Sequence, residues 1–355
     1  MKQRKMPPPA ANSGFEPTSQ LAPGGKLNAH ILDELTHRFA WPAPLIPLTR
    51  SLWDLSTVMD LGKLDAVAAA VSHQQRLGFT LISREYIQTG LNWIHAMRRI
   101  GTNNFFVVAG DQFTHDMLEA RGIHSVRAAI DERDFEPSFI SQVGFSSKGL
   151  AMITLKFPVA RFLVKSGYSV IFSDADAVWL QDPTPHLQWG DVAFQRIDYH
   201  PAPVARLWGF AACTGFVCFR HGAKTLALLD RCIEQHQSLH CDQVAMNVAL
   251  LQGKPEWHCD HDDWLPPGTV VHQDRANLRA AFARLMKSPI TGELSQDGLQ
   301  LLALPHDKFW RHHWITSSLT DMVVCHPNSP KDDTEKMKIL AAMGVRFAPE
   351  AGDRE

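Results

Sequence analysis

Apolar positions change rhythm near Phe79. Upstream, from Ile31 to Val71, they recur at helical spacing with prolines interrupting, which predicts a short helical extension. Downstream, short apolar runs alternate with amphipathic stretches. Phe79–Ser83 (FTLIS) reads as a strand. Ile87, Leu91, Ile94, Met97 and Ile100 share one face of a helix over Tyr86–Ile100. Asn103–Gly110 (NNFFVVAG) is apolar between turn formers, as expected of a strand buried on both faces. Thr114–Arg121 is helical with Gly122 placed for a C-cap, and Ser125–Ala129 is a third strand. One long helix fits Lys148–Lys165, kinked by Pro158. Tyr168–Asp176 (YSVIFSDAD) is a buried strand that runs into acidic residues. Beyond it, Gly215–Phe219, Leu301–Leu304 and Met322–Cys325 are strand-like, while Ala223–His236, Asp242–Leu251 and Thr334–Met343 are helical.

This alternation predicts an α/β fold, a mostly parallel sheet flanked by helices. Ligands of such sheets bind beyond the carboxyl ends of the strands, where Asp174 and Asp176 fall. In extended backbone, residues i and i+2 point the same way, so both carboxylates can face one hard cation. Mg²⁺ and Mn²⁺ prefer such oxygen ligands and share them with substrate phosphates. Residues 1–28, rich in Pro, Gly, Ala and Ser, read as a flexible tail, 29–75 as the helical extension and 76–350 as the α/β domain.

Composition narrows the function classes. The 355 residues are 45% hydrophobic and 20% charged, an ordinary soluble globular balance. Thirty-five basic against 37 acidic residues give a net charge of -2, which carries no footprint for nucleic acid or an anionic membrane. No apolar run reaches the roughly 18 residues of a membrane span. The basic, Pro-rich start is followed by no apolar segment, so the sequence as written shows no secretory signal. Cys213, Cys218, Cys232, Cys241, Cys259 and Cys325 form no C-x-x-C pair and read as free thiols. A soluble, cytoplasmic setting is favoured, and a Golgi lumen stays open if a leader has been removed.

Ser173–Pro183 (SDADAVWLQDP) is the most informative run. With its lead-in, Gly167–Pro183 (GYSVIFSDADAVWLQDP) resembles the hallmark segment of the nucleotide-diphospho-sugar transferases of glycosyltransferase family seventy-seven. Five further blocks resemble that family in order and spacing. They are Leu91–Asp111, Cys213–Arg220 (with Cys213 where Asn is usual), Asp242–Leu250, Ala303–Trp310 and His326–Lys336. The resemblance implies a GT-A fold and a metal-dependent, retaining transfer of a sugar from a UDP-sugar to an acceptor hydroxyl. Galactose or a pentose such as arabinose is the implied sugar, and a glycan, a protein or a small molecule the acceptor. Mn²⁺, or Mg²⁺, is the implied cofactor, with Asp174, Asp176 and His326 as its ligands. Asp174 would also contact the nucleotide ribose. Lys156 would reach the donor, and Lys331 and Lys336 are candidates for its diphosphate. Asp242 and Gln243 would lie against sugar hydroxyls at the reacting carbon, with Asn247 one turn later. Thr214 and Gly215 would line the sugar pocket, Gly215 permitting close backbone approach. No obvious covalent nucleophile emerges, and the resemblance implies front-face displacement, in which the leaving phosphate helps deprotonate the acceptor.

Bland readings stand beside these. Asp242 is a normal helix N-cap, His326 fits a packed strand-end histidine, and Lys156 fits a solvated helix lysine. Trp257–Trp264 (WHCDHDDW) lacks the ligand spacing of a zinc site and reads as a solvated or acceptor-facing loop. Arg311–Trp314 (RHHW) reads as surface or acceptor groove. Trp257, Trp264, Trp310 and Trp314 suit either sugar stacking or the core. VIFSDADAV also resembles the aspartate-nucleophile signature of haloacid-dehalogenase-type phosphatases, which normally opens its domain. A non-catalytic sugar-nucleotide or glycan-binding module is the other alternative.

Overall fold

In the computed structural model, residues 25–41, 53–130, 146–258, 288–311, 318–327 and 331–348 are described. Among the described residues, nine strands make the central sheet. They are β1 (Arg76–Ile82), β2 (Phe105–Ala109), β3 (Ser125–Arg127), β4 (Ser169–Ser173), β6 (Val192–Ile197), β7 (Ala211–Phe219), β8 (Pro255–His258), β9 (Ile290–Leu294) and β10 (Leu299–Ala303). Their order is β3-β2-β1-β4-β7-β6-β10-β9-β8. Only β7 and β9 run against the others, so the sheet is mostly parallel. A small second sheet, ordered β11-β12-β5, joins β5 (Val178–Trp179), β11 (Phe309–Trp310) and β12 (Val324–Cys325).

The continuous apolar runs become the sheet's centre because both of its faces are covered. Phe79 on β1 meets Phe106 on β2 at 5.8 Å and Phe172 on β4 at 5.1 Å. All three rings are buried. Elements that the apolar pattern did not reveal are β6, β8, β9, β11, β5 and a short helix at Ala202–Trp208. In β6 the run is broken by Gln195 and Arg196, which are nevertheless buried. Arg196 is satisfied by the carbonyls of Leu304 (2.8 Å) and Ser288 (3.0 Å). The alternation in β9 spans only five residues, too short to stand out.

The helix expected over Lys148–Lys165 is two helices, Ser147–Thr154 and Lys156–Lys165. Pro158 has no N–H for the carbonyl of Thr154 and its ring crowds that carbonyl, so the break falls at Leu155. Lys156 thereby opens the second helix and is buried. The first helix, α1 (Gly25–Phe39), begins before the tail boundary drawn at residue 28. With α2 (Leu55–Val58) and α3 (Leu61–Val71) it shares the main core, through Leu35 and Leu64. The chain after α1 is tied to the sheet domain where the indole N–H of Trp41 donates to the carbonyl of His236 at 2.9 Å. Cys259–Trp264 and His312–Trp314 lie outside the described residues. Among the described cysteines, Cys213, Cys218, Cys232, Cys241 and Cys325 are free thiols. No described helix is long and apolar enough to cross a membrane.

His236 makes the fold acid-sensitive. It is fully buried, with Trp53 at 4.8 Å and Phe157 at 5.9 Å edge-on to its ring. Burial pushes its pKa down to about 3. The folded state therefore keeps it neutral while the unfolded state protonates it near 6.5. Its contribution is complete above that value and declines as pH falls toward 3, by about 2 kcal/mol at pH 5. His236→Phe should flatten the fall in melting temperature between pH 7 and pH 5. An equal fall in variant and parent would refute this assignment.

Candidate metal and donor site

The acidic turn begins where β4 ends. The N–H of Asp174 donates to the carbonyl of Gly215 on β7 at 2.7 Å, and the N–H of Ala177 closes the turn on the carbonyl of Asp174 at 2.9 Å. Ser173 anchors it from beneath. The indole N–H groups of Trp93 (3.1 Å) and Trp179 (3.0 Å) both donate to its hydroxyl oxygen. The hydroxyl in turn donates to the carbonyls of Asp174 and Ala177, each at 3.2 Å. Ser173→Ala leaves two buried indole N–H groups unpaired. It should cost about 2–4 kcal/mol in urea denaturation, at the general cost of an unmet buried donor. A loss within 0.5 kcal/mol, the ordinary size of a surface effect, would contradict this.

Asp174, Asp176 and His326 converge. One ligand atom from each lies within 4.8 Å of the others. His326 Nε2 is 3.3 Å from Asp176 Oδ1 and 3.7 Å from Asp174 Oδ2. His326 follows β12, so the small sheet carries it across to the end of β4. Gly215 makes the meeting possible. A Cβ there would lie 2.0 Å from His326 Cε1 and 2.7 Å from Asp174 Oδ2. Behind the imidazole, Nδ1 faces Gln195 Oε1 at 2.8 Å. Burial works against an ionised Asp176, but Lys336 and His326 outweigh it and hold the carboxyl well below its usual range. Burial and Arg311 work against a protonated His326, while Asp176 outweighs them and raises it.

A second cluster lies across β7. Lys156 ion-pairs with the Asp242 carboxylate, stands 3.5 Å from Asp174 Oδ1, donates to the carbonyl of Thr214 at 3.1 Å and lies over the Phe172 ring at 4.3 Å. The Thr214 hydroxyl donates to Asp242 Oδ2 at 2.7 Å. Burial raises the Asp242 pKa, but Lys156 and then His236 and these hydrogen bonds bring it down to about 2. Asp242 is thus ionised, and Lys156 is a buried counter-ion to both acidic groups. Lys336, on the helix Asp333–Ala342, ion-pairs with Asp176, and its ammonium lies 5.9 Å from the Tyr86 ring centre. Lys331 keeps solvent-exposed surface, but crowding around its ammonium and the neighbouring Lys336 lower its pKa, against the smaller opposing pull of Asp176 and Asp174. Gln243 donates to the carbonyl of His200 at 2.5 Å. Asn247 stands apart. Its amide binds both backbone groups of Ala212 and the carbonyl of Gln243, so it braces β7 rather than facing the carboxylates.

Sequence reading missed Ser173 and Gln195, whose partners lie far along the chain, and Asp333. The Asp333 carboxylate accepts from the N–H groups of Gln88 (2.9 Å) and Thr89 (3.0 Å), joining the helix that bears Lys336 to the helix Ile87–Arg99. Arg311, read as surface or groove, donates to the carbonyl of His326 at 3.4 Å. Beyond the carboxyl ends of β2 and β3, and lined by no residue of the acidic turn, is an open cleft of about 550 Å³ bordered by Gly110, Asp111, Arg127 and Lys148.

A carboxylate and imidazole cluster at the carboxyl edge of a mostly parallel sheet, flanked by lysines, has the donor atoms that could hold a cation. The family model for nucleotide-diphospho-sugar transferases matches residues 101–340, and the chain belongs to that family, and with it to the glycosyltransferases. That membership removes the phosphatase alternative. Two curated relatives are from Arabidopsis thaliana. Arabinosyltransferase RRA2 is 28% identical over 179 residues, 44% of this chain and 40% of that protein. Arabinosyltransferase RRA1 is 37% identical over 179 residues, 44% of this chain and 42% of that protein. The chain thus spans less than half the length of either relative. Among solved structures, the glycosyltransferase GlyE of Streptococcus pneumoniae aligns with 79% of this chain and 66% of its own, at 12% identity and a TM-score of 0.33.

Proposed function

We propose that the chain is a retaining, divalent-cation-dependent glycosyltransferase that moves a pentose from a UDP-sugar to an acceptor hydroxyl. The convergence of Asp174, Asp176 and His326 beside Gly215 carries this reading. The names of the plant relatives favour arabinose over galactose. A glycan, a protein or a small molecule can supply the hydroxyl.

The residues fit a cation. Ligand atoms 3.3 and 3.7 Å apart suit a metal that holds its donors at about 2.1 Å. Two carboxylates with one imidazole favour Mn²⁺ over Mg²⁺. When bound, the cation would neutralise charge on the leaving diphosphate. The rest falls to the chain. Lys336 and Lys331 add positive charge on the Asp176 side, where the leaving phosphate gains negative charge. Among the described residues, both side-chain contacts to the Asp242 carboxylate fall on Oδ2, and Oδ1 would accept from a sugar hydroxyl. Neutralised by Lys156, Asp242 orients the sugar and does not attack it. Gln243 and Thr214 flank the same space, and the cleft beyond β2 and β3 gives room to the nucleoside. The acceptor oxygen then bonds to the anomeric carbon on the face from which the phosphate oxygen departs. Its proton passes to that phosphate, and configuration is retained.

The test is release of UDP from UDP-arabinose and UDP-galactose, with Mn²⁺ or with EDTA. Asp176→Asn is run alongside. Release from one donor, metal-dependent and lost in the variant, is the expected result. Donor binding indifferent to metal and to Asp176→Asn would replace the enzyme with a sugar-nucleotide-binding module.

A further inference from the structure

We propose that Gln195 is a positioning residue that fixes the ring of His326 for the cation. This rests on the reading of His326 as a ligand. The amide of Gln195 has only one workable orientation. Its nitrogen lies 3.0 Å from the carbonyl of Phe309 and 2.9 Å from that of Trp310. Carbonyls only accept, so the amide nitrogen faces them as donor. Oε1 is thereby turned to His326 Nδ1 at 2.8 Å. An amide oxygen also only accepts, so Nδ1 carries the proton. Nε2 then presents its other side to Asp176 and Asp174. Two backbone carbonyls of β11 therefore set, through one buried amide, which imidazole nitrogen faces the carboxylates.

The backbone explains why a glutamine of β6 stands there. The β6–β7 register runs from Phe194 opposite Val217 to Gln195 opposite Cys213, leaving Thr214, Gly215 and Phe216 as extra residues on β7. That bulge brings Gly215 against His326 and Asp174, and its other strand contributes Gln195 behind the same ring. The imidazole is thus enclosed between the two sides of one irregularity. Gln195 and His326 are both buried, and the Cys213 thiol is a further hydrogen-bond partner of the ring. Partners of this kind, behind a ligating histidine, typically carry about 10–100-fold in metal affinity.

The experiment measures Mn²⁺ affinity of the full chain by the electron paramagnetic resonance signal of free Mn²⁺. Parent, Gln195→Met, Gln195→Glu and Asp176→Asn are compared, each with its thermal denaturation curve. Gln195→Met keeps the volume and loses all three hydrogen bonds. Gln195→Glu keeps an acceptor for Nδ1 and loses the donors to Phe309 and Trp310. We expect Gln195→Met to bind Mn²⁺ about 10–100-fold more weakly and Gln195→Glu to recover about tenfold of that, although both lose the β11 contacts. Nitrogen NMR of the His326 ring should show Nδ1 protonated in the parent and mixed tautomers in Gln195→Met. Affinity within twofold of the parent in Gln195→Met, with binding lost in Asp176→Asn, would overturn the role of Gln195 and leave the metal site standing. Equal weakening in the Met and Glu variants, matched by equal thermal loss, would reduce Gln195 to a structural strut. Unchanged binding in Asp176→Asn would instead overturn the ligand set itself.

Discussion

Gly215→Ala will abolish divalent-cation binding while the sheet stays folded. The added methyl would sit 2.0 Å from Cε1 and 2.8 Å from Nδ1 of His326, and 2.7 Å from Asp174 Oδ2. Ordinary carbon contacts begin near 3.5 Å, so the ring and the carboxylate must both move. Neither has room to do so together. The ring is held from behind by Gln195, and the backbone of Asp174 is bound to Gly215 itself. The atoms displaced are those that would hold the metal, so the loss should exceed about 100-fold in Mn²⁺ affinity and in donor turnover. Titration calorimetry with Mn²⁺ checks it, with circular dichroism to show an intact fold. Parent-like affinity would mean that the cation lies elsewhere.

Lys156→Met should be the most destabilising single change in the site. Lys156 is 2% exposed and is the buried counter-ion of Asp242, itself 8% exposed. Removing one partner of a buried pair strands the other's charge, at about 3–5 kcal/mol. Lys156→Met/Asp242→Asn should regain a large part, because no unpaired charge remains. The pH dependence has a definite sign. Asp242 is held at about 2 in the folded parent, below its unfolded value near 3.9. Its contribution is therefore complete above pH 4 and is lost as pH falls toward 2. Lys156→Met should show less of this acid loss, since its Asp242 has no reason to stay ionised. Chemical denaturation of both variants at pH 7 decides the matter. A single-variant loss under about 1 kcal/mol would show the pair to be screened by water, as exposed pairs are.

Legibility in the sequence followed the range of each interaction. The strand leading to Asp174 and Asp176 was plain because an apolar run and a following Trp-Leu stretch are local, and the helix that Asp242 opens was plain for the same reason. The strand nevertheless ends at Ser173, and the two aspartates lie in a turn closed by the Ala177 N–H, not in extended backbone. His326 could be singled out only by resemblance, since its neighbours in sequence say nothing of a partner some 150 positions earlier. Lys156 was singled out by resemblance as a donor-reaching lysine, and only the tertiary structure shows that its ammonium also meets Asp242, Thr214 and Asp174. Pro158 marked a kink, and the backbone's need for an N–H at Thr154 set where it fell. Asn247 is drawn to the backbone of β7 because Ala212 needs partners there.

By itself the sequence determined the strand and helix rhythm, the acidic turn and its place at the carboxyl edge of a mostly parallel sheet, because these depend on neighbouring residues and on backbone geometry. Tertiary structure alone decided that Gly215 leaves room for the triad, that Gln195 stands behind His326, that Ser173 joins two tryptophans and that Lys156 neutralises Asp242. Each of these is a contact between distant segments. Such contacts are selected when buried polar groups must all find partners at once, a condition that no local pattern encodes.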